Sequence, residues 1–148
     1  MKNEFSLNQC DDIALLLLEE AQSKSINQDN ATVIALSGDL GAGKTTLTKS
    51  IAKVLGVHEV ITSPTFVIAS FYDIPEGGIF PWKKLIHMDA YRLEDEKQLA
   101  PLHYDQWISD PDTIVVIEWP ELIKKAIPVH AMNISLVHKS EDMRSIEW

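Results

Sequence analysis

Residues 38–45, GDLGAGKT, have the types and the spacing of a loop that binds phosphate. They match the pattern G-x-x-x-x-G-K-S/T and lie between an apolar run typical of a buried strand and a sequence typical of a helix. Gly41 and Gly43 keep side chains away, so that backbone N–H groups at the positive end of a helix can contact phosphate oxygens. Lys44 would bring a mobile charge to the β- and γ-phosphates, and the Thr45 hydroxyl would be a ligand of Mg²⁺. The loop therefore predicts nucleotide binding.

Two acidic residues stand where apolar, strand-like runs end. Asp89 follows LIHM at 85–88, and Glu118 follows IVVI at 114–117. In an open α/β sheet, ligands bind at the carboxyl ends of the strands, so both carboxylates could face the same crevice. A carboxylate that finishes a long apolar strand is costly to bury without a cation or a metal as its partner. The alternative is that each one merely lies in a solvated turn.

Three weaker features have a structural as well as a functional interpretation. Residues 62–65, TSPT, are either a simple turn or a switch-like loop whose hydroxyls approach the γ-phosphate. Trp119 is either a core aromatic, which the sequence alone favours, or a lid on the site. The five histidines lack the spacing of metal ligands, so we expect no histidine metal site.

The helix signals place the phosphate loop directly before a helix. Ser6 and Gln9 form a capping-box signature, which opens a helix to about Lys24. A second helix is predicted over 45–55 with Gly56 as its stop, and polar residues 27–30 predict a loop. The apolar stripe predicted for the first helix consists of Ile13, Leu16, Leu17 and Ala21. Shorter helices are predicted at 94–99 and from Pro120.

Alternation of these helices with apolar runs predicts one α/β domain over residues 1–148. Its core is a central, mostly parallel but mixed sheet flanked by helices, as in a P-loop NTPase. Strands are predicted at 32–36, 66–72, 85–89 and 113–117, followed by a hairpin of 132–137 with 143–146.

Composition excludes several classes of protein. The chain has 148 residues, 45% of them hydrophobic, with 13 basic and 22 acidic side chains that give a net charge of −9. This acidity disfavours direct nucleic-acid binding. One cysteine makes neither an internal disulfide nor a thiolate metal cluster, and the longest apolar run, 13–18, is too short to cross a membrane. We therefore expect a cytoplasmic protein with no membrane partner.

Four motifs together resemble the TsaE family, the small bacterial P-loop ATPases of tRNA threonylcarbamoyladenosine biosynthesis. They are GDLGAGKTT at 38–46, SPTF at 63–66, HMDAYR at 87–92 and IEWP at 117–120. Their order, their spacing and the chain length agree over about residues 6–148. The phosphate loop alone is generic, whereas the H-x-D-x-Y-R and E-W-P motifs make the resemblance specific.

The resemblance implies a weak, Mg²⁺-dependent ATPase that binds ATP and acts with the TsaB–TsaD complex. That complex attaches a threonylcarbamoyl group to the adenosine beside the anticodon of tRNAs that read codons beginning with A. The tRNA would be contacted only indirectly, through the complex.

Residue roles follow from the resemblance, position by position. The catalytic residues would be Lys44, Asp89, Glu118, Thr65 and Trp119. The Mg²⁺ ligands would be Thr45 and Glu118, with Asp89 near the nucleotide and Thr65 in a nucleotide-sensitive loop. The nucleotide would be held by Gly41, Ala42, Gly43, Lys44, Thr45, Thr46, Asp89 and Arg144.

Two other functions stay open at this point. A P-loop kinase for a small metabolite would need arginines on a lid, and this chain has only Arg92 and Arg144. A nucleotide-gated binding module would use ATP to order a docking surface and would need little catalysis. A GTPase is disfavoured because the chain has no N-K-x-D motif.

Overall fold

A computed structural model describes residues 1–26 and 28–148, and the strands of this part form one seven-stranded sheet. The strands are β1 (Lys2–Ser6), β2 (Thr32–Ser37), β3 (Ala69–Asp73), β4 (Lys84–Asp89), β5 (Thr113–Glu118), β6 (Met132–His138) and β7 (Met143–Glu147). They lie in the order β1-β7-β6-β2-β5-β4-β3. The four central strands, β6-β2-β5-β4, are parallel, and the outer strands pair antiparallel. The predicted mixed α/β fold class is confirmed.

Helices cover both faces of the sheet. The α-helices are α1 (Cys10–Ser25), α2 (Lys44–Val54) and α3 (Tyr104–Ile108), and 3₁₀ segments cover Leu7–Gln9, Glu96–Leu102 and Pro120–Ala126. Helices α1 and α2 pack on one face, whereas α3 and the two later 3₁₀ segments pack on the other. In the described part of the chain, no helix is long and apolar enough to cross a membrane.

The predicted start signal of α1 and the predicted stop signal of α2 are both present. The backbone N–H of Ser6 donates to Gln9 Oε1 at 2.9 Å, so the capping box is present and leads through one 3₁₀ turn into α1. Helix α2 ends before Gly56, whose φ of 84° is the left-handed conformation that glycine adopts without strain. The predicted loop at 27–30 includes Asn27, which lies outside the described residues.

The central strands are apolar without alternation because both of their faces are covered. In β5, Val116 packs beneath α1 and α2, whereas Val115 and Ile117 face the other cluster. In β2, Ile34 and Val33 divide in the same way. Burial on both faces fixes the carboxyl ends of these strands, which is where the site lies.

Two sequence predictions about elements are wrong in detail. Of the predicted stripe of α1, Ile13, Leu17 and Ala21 are buried, whereas Leu16 is 46% exposed; the buried stripe also includes Ala14 and Leu18. The strand predicted over 66–72 begins only at Ala69. Phe66 stands 84% exposed on an irregular segment that ends in the left-handed Ile68, with φ of 69°, and this conformation interrupts the strand.

Several short elements differ from the sequence prediction or were not predicted. The helix predicted at 94–99 is a 3₁₀ segment shifted to Glu96–Leu102, and Pro120 begins a 3₁₀ segment. Strand β1 and helix α3 carry no apolar pattern of their own and were not predicted. Strand β1 forms by pairing with β7 from the other end of the sequence.

Candidate nucleotide site

A cleft of about 380 Å³ opens at the carboxyl ends of the parallel strands. Most of the residues that the sequence singled out line this cleft: Gly41, Gly43, Lys44, Thr45, Thr46, Thr65, Asp89, Glu118, Trp119 and Arg144. Ala42 does not, because it is 1% exposed and packs behind the loop. Leu7 and Tyr91 also line the cleft and were not assigned from the sequence. Tyr91 lies within the HMDAYR motif, so that motif was its available signal.

The phosphate loop connects β2 to α2 in a conformation that needs glycine. Gly38 has a φ of 151°, and a Cβ atom there would stand 2.4 Å from the carbonyl oxygen of Leu136. Gly43 precedes the helix with a φ of 104°. The loop therefore presents backbone at the helix N-terminus, as an anion site requires.

Lys44, the first residue of α2, is buried with its ammonium group held over the loop. Its Nζ donates to the carbonyl oxygens of Gly38 at 2.6 Å and Asp39 at 3.1 Å. The ammonium also lies 4.1 Å from the centre of the Trp119 ring. Burial lowers the pKa of Lys44, and the carboxylates around it, Glu118 foremost, oppose that shift.

Glu118 ends β5 and is 3% exposed, and its carboxylate has hydrogen-bond partners on two elements. The Thr45 hydroxyl lies 2.9 Å from Oε1 and 3.2 Å from Oε2. The same Oε1 also lies 2.7 Å from His87 Nε2. The two predicted Mg²⁺ ligands are thus in direct contact, and a third residue, which the sequence prediction missed, supports the carboxylate.

Asp89 ends the neighbouring strand β4 in direct register with Glu118. Its Oδ2 accepts from the Thr65 hydroxyl at 3.0 Å, and its Oδ1 accepts from the backbone N–H of Tyr91 at 2.9 Å. Asp89 is 4% exposed. Both carboxylates therefore lie in one crevice, and neither stands in a solvated turn.

Trp119 follows Glu118 in a left-handed conformation, with φ of 59°. A bulky residue rarely adopts this conformation, which costs on the order of 1–3 kcal/mol. The turn places the indole between the cleft and the core cluster on the α3 face of the sheet, with its ring centre 5.0 Å from that of Tyr91. The ring packs on the core, as the sequence alone favours, and also forms a wall of the cleft, whereas its role as a lid stays a prediction.

Arg144 reaches the cleft from β7 and is 8% exposed. Its Nη1 donates to the carbonyl oxygens of Ser140, at 2.8 Å, and Met143, at 2.9 Å. Its Nε is buried without a hydrogen-bond partner in the described part of the chain. A Cβ on Gly43 would come 3.5 Å from that Nε, so the guanidinium borders the phosphate loop.

These residues fit a nucleotide with Mg²⁺. A hydroxyl and a carboxylate in contact are the hard oxygen ligands that Mg²⁺ prefers. The side-chain-free backbone at Gly43 and the unpaired Nε of Arg144 both suit an anion. The cleft volume also lies in the range of small-molecule sites.

Comparison with known proteins gives consistent matches. The family model described as "Threonylcarbamoyl adenosine biosynthesis protein TsaE" matches residues 8–146. A relative from Bacillus subtilis, named tRNA threonylcarbamoyladenosine biosynthesis protein TsaE, is 39% identical to this chain over 116 residues, which are 78% of this chain and 68% of the relative. Its namesake in Streptomyces coelicolor is 46% identical over 90 residues, 60% of this chain and 57% of that protein. The crystal structure of YdiB from Bacillus subtilis superposes with a TM-score of 0.69 at 27% identity, covering 99% of this chain and 82% of the other.

Proposed function

The chain belongs to the TsaE family, and we propose that it serves tRNA threonylcarbamoyladenosine biosynthesis as a Mg²⁺-dependent ATPase working with the TsaB–TsaD complex. The family's part in that modification and its nucleotide-binding fold are the starting point. The observation that carries the ATPase proposal is the contact of Thr45 with Glu118 at the foot of the phosphate loop, beside Lys44.

Phosphate binding falls to the loop and to Lys44. Its ammonium now donates to two carbonyl oxygens of the loop itself, and a triphosphate offers stronger, charged acceptors at the same place. Arg144 adds an unpaired N–H at the border of the loop. Backbone N–H groups at the start of α2 complete the anion site.

Thr45 and Glu118 would hold Mg²⁺, which supplies charge neutralisation at the phosphates. The Thr45 hydroxyl can donate its hydrogen to the carboxylate while its oxygen keeps lone pairs for the cation. Glu118 brings the negative charge, and burial strengthens that electrostatic attraction.

Asp89 would orient the attacking water. Hydrolysis forms a bond between the water oxygen and the γ-phosphorus and breaks the bond to the bridging oxygen of ADP. Asp89 has one oxygen on Thr65 and one on a backbone N–H, which fixes the carboxylate as a hydrogen-bond acceptor. Thr65 would thereby link the 62–65 segment to the state of the nucleotide.

The TsaB–TsaD partnership is inferred from the family resemblance and from charge. A domain with net charge −9 is repelled by the phosphate backbone, so the tRNA would be held by the partners. A kinase role gains no support, since Arg92 stacks on Phe66 at 4.4 Å and Arg144 is tied to backbone carbonyls.

The test compares the variant Lys44→Ala with the control variant Lys53→Ala. Lys53 lies on the same helix, and its side chain is 73% exposed. Lys44→Ala removes about two charge-assisted hydrogen bonds to phosphate, which together amount to about 1000-fold in ATP affinity. Titration calorimetry measures this, and Lys53→Ala should bind ATP like the unchanged protein.

ATP turnover is then measured with and without TsaB–TsaD. We expect slow turnover alone and faster turnover with the complex. Unchanged ATP affinity in Lys44→Ala would overturn the assignment of the site. Binding without any turnover, even with the complex, would favour the nucleotide-gated binding module instead.

A further inference from the structure

His87 is a fully buried histidine whose function the assignments above leave open. It is 0% exposed and lies on β4, two residues before Asp89, so both side chains project from the same face of the strand. Its Nε2 lies 2.7 Å from Glu118 Oε1 on the adjacent strand. The imidazole therefore contacts the same carboxylate oxygen as the Thr45 hydroxyl.

Donor and acceptor chemistry assigns the hydrogen in this contact. A carboxylate only accepts, so the bond to Oε1 requires the hydrogen on Nε2. The other ring nitrogen, Nδ1, is buried without a hydrogen-bond partner among the described residues. The ring thus acts as a one-sided donor that is aimed at Glu118.

The two donors on Glu118 come from rigid elements. Thr45 lies in the first turn of α2, and His87 lies inside a strand that pairs parallel with β5 and antiparallel with β3. Oxygen Oε1 accepts from both donors. A rotation of the carboxylate would therefore break the hydrogen bond from His87 as well as the one from Thr45.

Resting on the function proposed above, we propose that His87 is a positioning residue for the Mg²⁺ ligand Glu118. Its Nε2–H holds the carboxylate beside the Thr45 hydroxyl before the cation arrives. Such supporting partners of a metal ligand contribute about 10- to 100-fold to metal affinity. His87 acts only through Glu118 and touches neither nucleotide nor cation.

The experiment measures Mn²⁺ binding to the protein–ADP complex by the loss of the free Mn²⁺ signal in electron paramagnetic resonance. His87→Gln keeps an amide donor near the Nε2 position, whereas His87→Asn places its amide near Nδ1, out of reach of Glu118. Met88→Leu alters the next residue of the strand, which faces the opposite core cluster, and serves as the control.

We expect His87→Asn to weaken Mn²⁺ binding by about 10-fold. His87→Gln should stay within about threefold of the unchanged protein, and Met88→Leu should not alter Mn²⁺ binding. ADP affinity in EDTA should be the same in all four proteins, which separates positioning of the cation ligand from general damage to the cleft.

Equal Mn²⁺ affinities in the Asn and Gln variants would overturn the role of His87 while leaving the proposed function intact. An unchanged protein that binds neither ADP nor Mn²⁺–ADP would overturn both. Because Gln and Asn are equally polar in the same buried place, a loss of folding common to both would show as reduced ADP binding in EDTA. That outcome would make His87 a core residue and contradict the positioning role.

Discussion

The ends of β4 and β5 carry carboxylates in register, yet the two are held in different ways. Glu118 is bonded by side chains from a helix N-terminus and a central strand. Asp89 is bonded by Thr65, which lies in the irregular segment that connects α2 to β3, and by a backbone N–H of the turn that follows. Phe66, beside Thr65, is 84% exposed.

Under the proposed function, this difference would separate a carboxylate with a fixed position from one whose partner can move. A ligand of a cation is most effective when its position does not change, and the partners of Glu118 provide that. A group that senses a nucleotide needs a partner that can move without disturbing the core. The segment of Thr65 would suit this role because Ser63, Phe66 and Val67 are exposed, although Pro64 is buried. The pair is thus expected to divide the work, with cation binding at Glu118 and loop-coupled hydrolysis at Asp89.

Replacing each carboxylate with its amide tests whether Glu118 and Asp89 have different roles. Glu118→Gln should raise the Mg²⁺ concentration needed for half-maximal ATP binding by about 100-fold, because the amide keeps the shape and removes the charge. Asp89→Asn should leave that concentration within about threefold and lower ATP turnover by about 30-fold. Calorimetry at stepped Mg²⁺ concentrations and a phosphate-release assay measure the two quantities. If both amides produced the same pattern, the division of labour would be wrong.

The segment side of the comparison is tested at Thr65. Thr65→Val keeps the shape but removes the hydroxyl that donates to Asp89, so ATP turnover at saturating Mg²⁺ should fall by about 10-fold. The Mg²⁺ requirement should not change. Thr65→Ser keeps a hydroxyl and is the matched control, with turnover expected near that of the unchanged protein. Loss of Mg²⁺ affinity in the Val variant would show that the two carboxylates are not independent.

A carboxylate outside the cleft, Asp11, is expected to give the smallest effect on substitution. Asp11, on α1, pairs with Lys53, on α2, and hydrogen bonds from Lys53 and Ser50 lower the pKa of Asp11 from its ordinary value of 3.8. Because both side chains are well exposed, Asp11→Asn should cost only about 0.3 kcal/mol of unfolding free energy at pH 7. The lowered pKa means that this contribution is present above pH 3.8 and is lost as pH falls below it. Urea unfolding at pH 7 and pH 3 measures it, and a difference that persists at pH 3 would contradict the cause given.

Local chemistry made the phosphate loop and the carboxylates predictable. The loop glycines and Lys44 form a contiguous pattern, and the acidic residues follow long apolar strands, so their common edge could be inferred from parallel topology alone. The capping box at Ser6 is equally local, since its two partners stand three residues apart.

The remaining features depend on contacts between distant parts of the sequence. Strand β1 has only Phe5 as a buried residue and exists through pairing with β7. The role of His87 depends on the register of β4 with β5, which sequence spacing alone does not give. Its signal was the two-residue step from His87 to Asp89, which places both on one face of a strand. Ile68 interrupts a β-rich run through its backbone conformation, and no composition rule predicts that.

The ammonium that rests 4.1 Å above the Trp119 ring has a practical consequence. Trp119 is the one tryptophan of the chain that lines the cleft in the described structure, and its indole emits light with an intensity that responds to nearby charge. A phosphate bound as proposed would draw the Lys44 ammonium toward itself and so change the charge near the ring. Under the proposed function, Trp119 would then report occupancy of the cleft through its own fluorescence, with no label on the nucleotide.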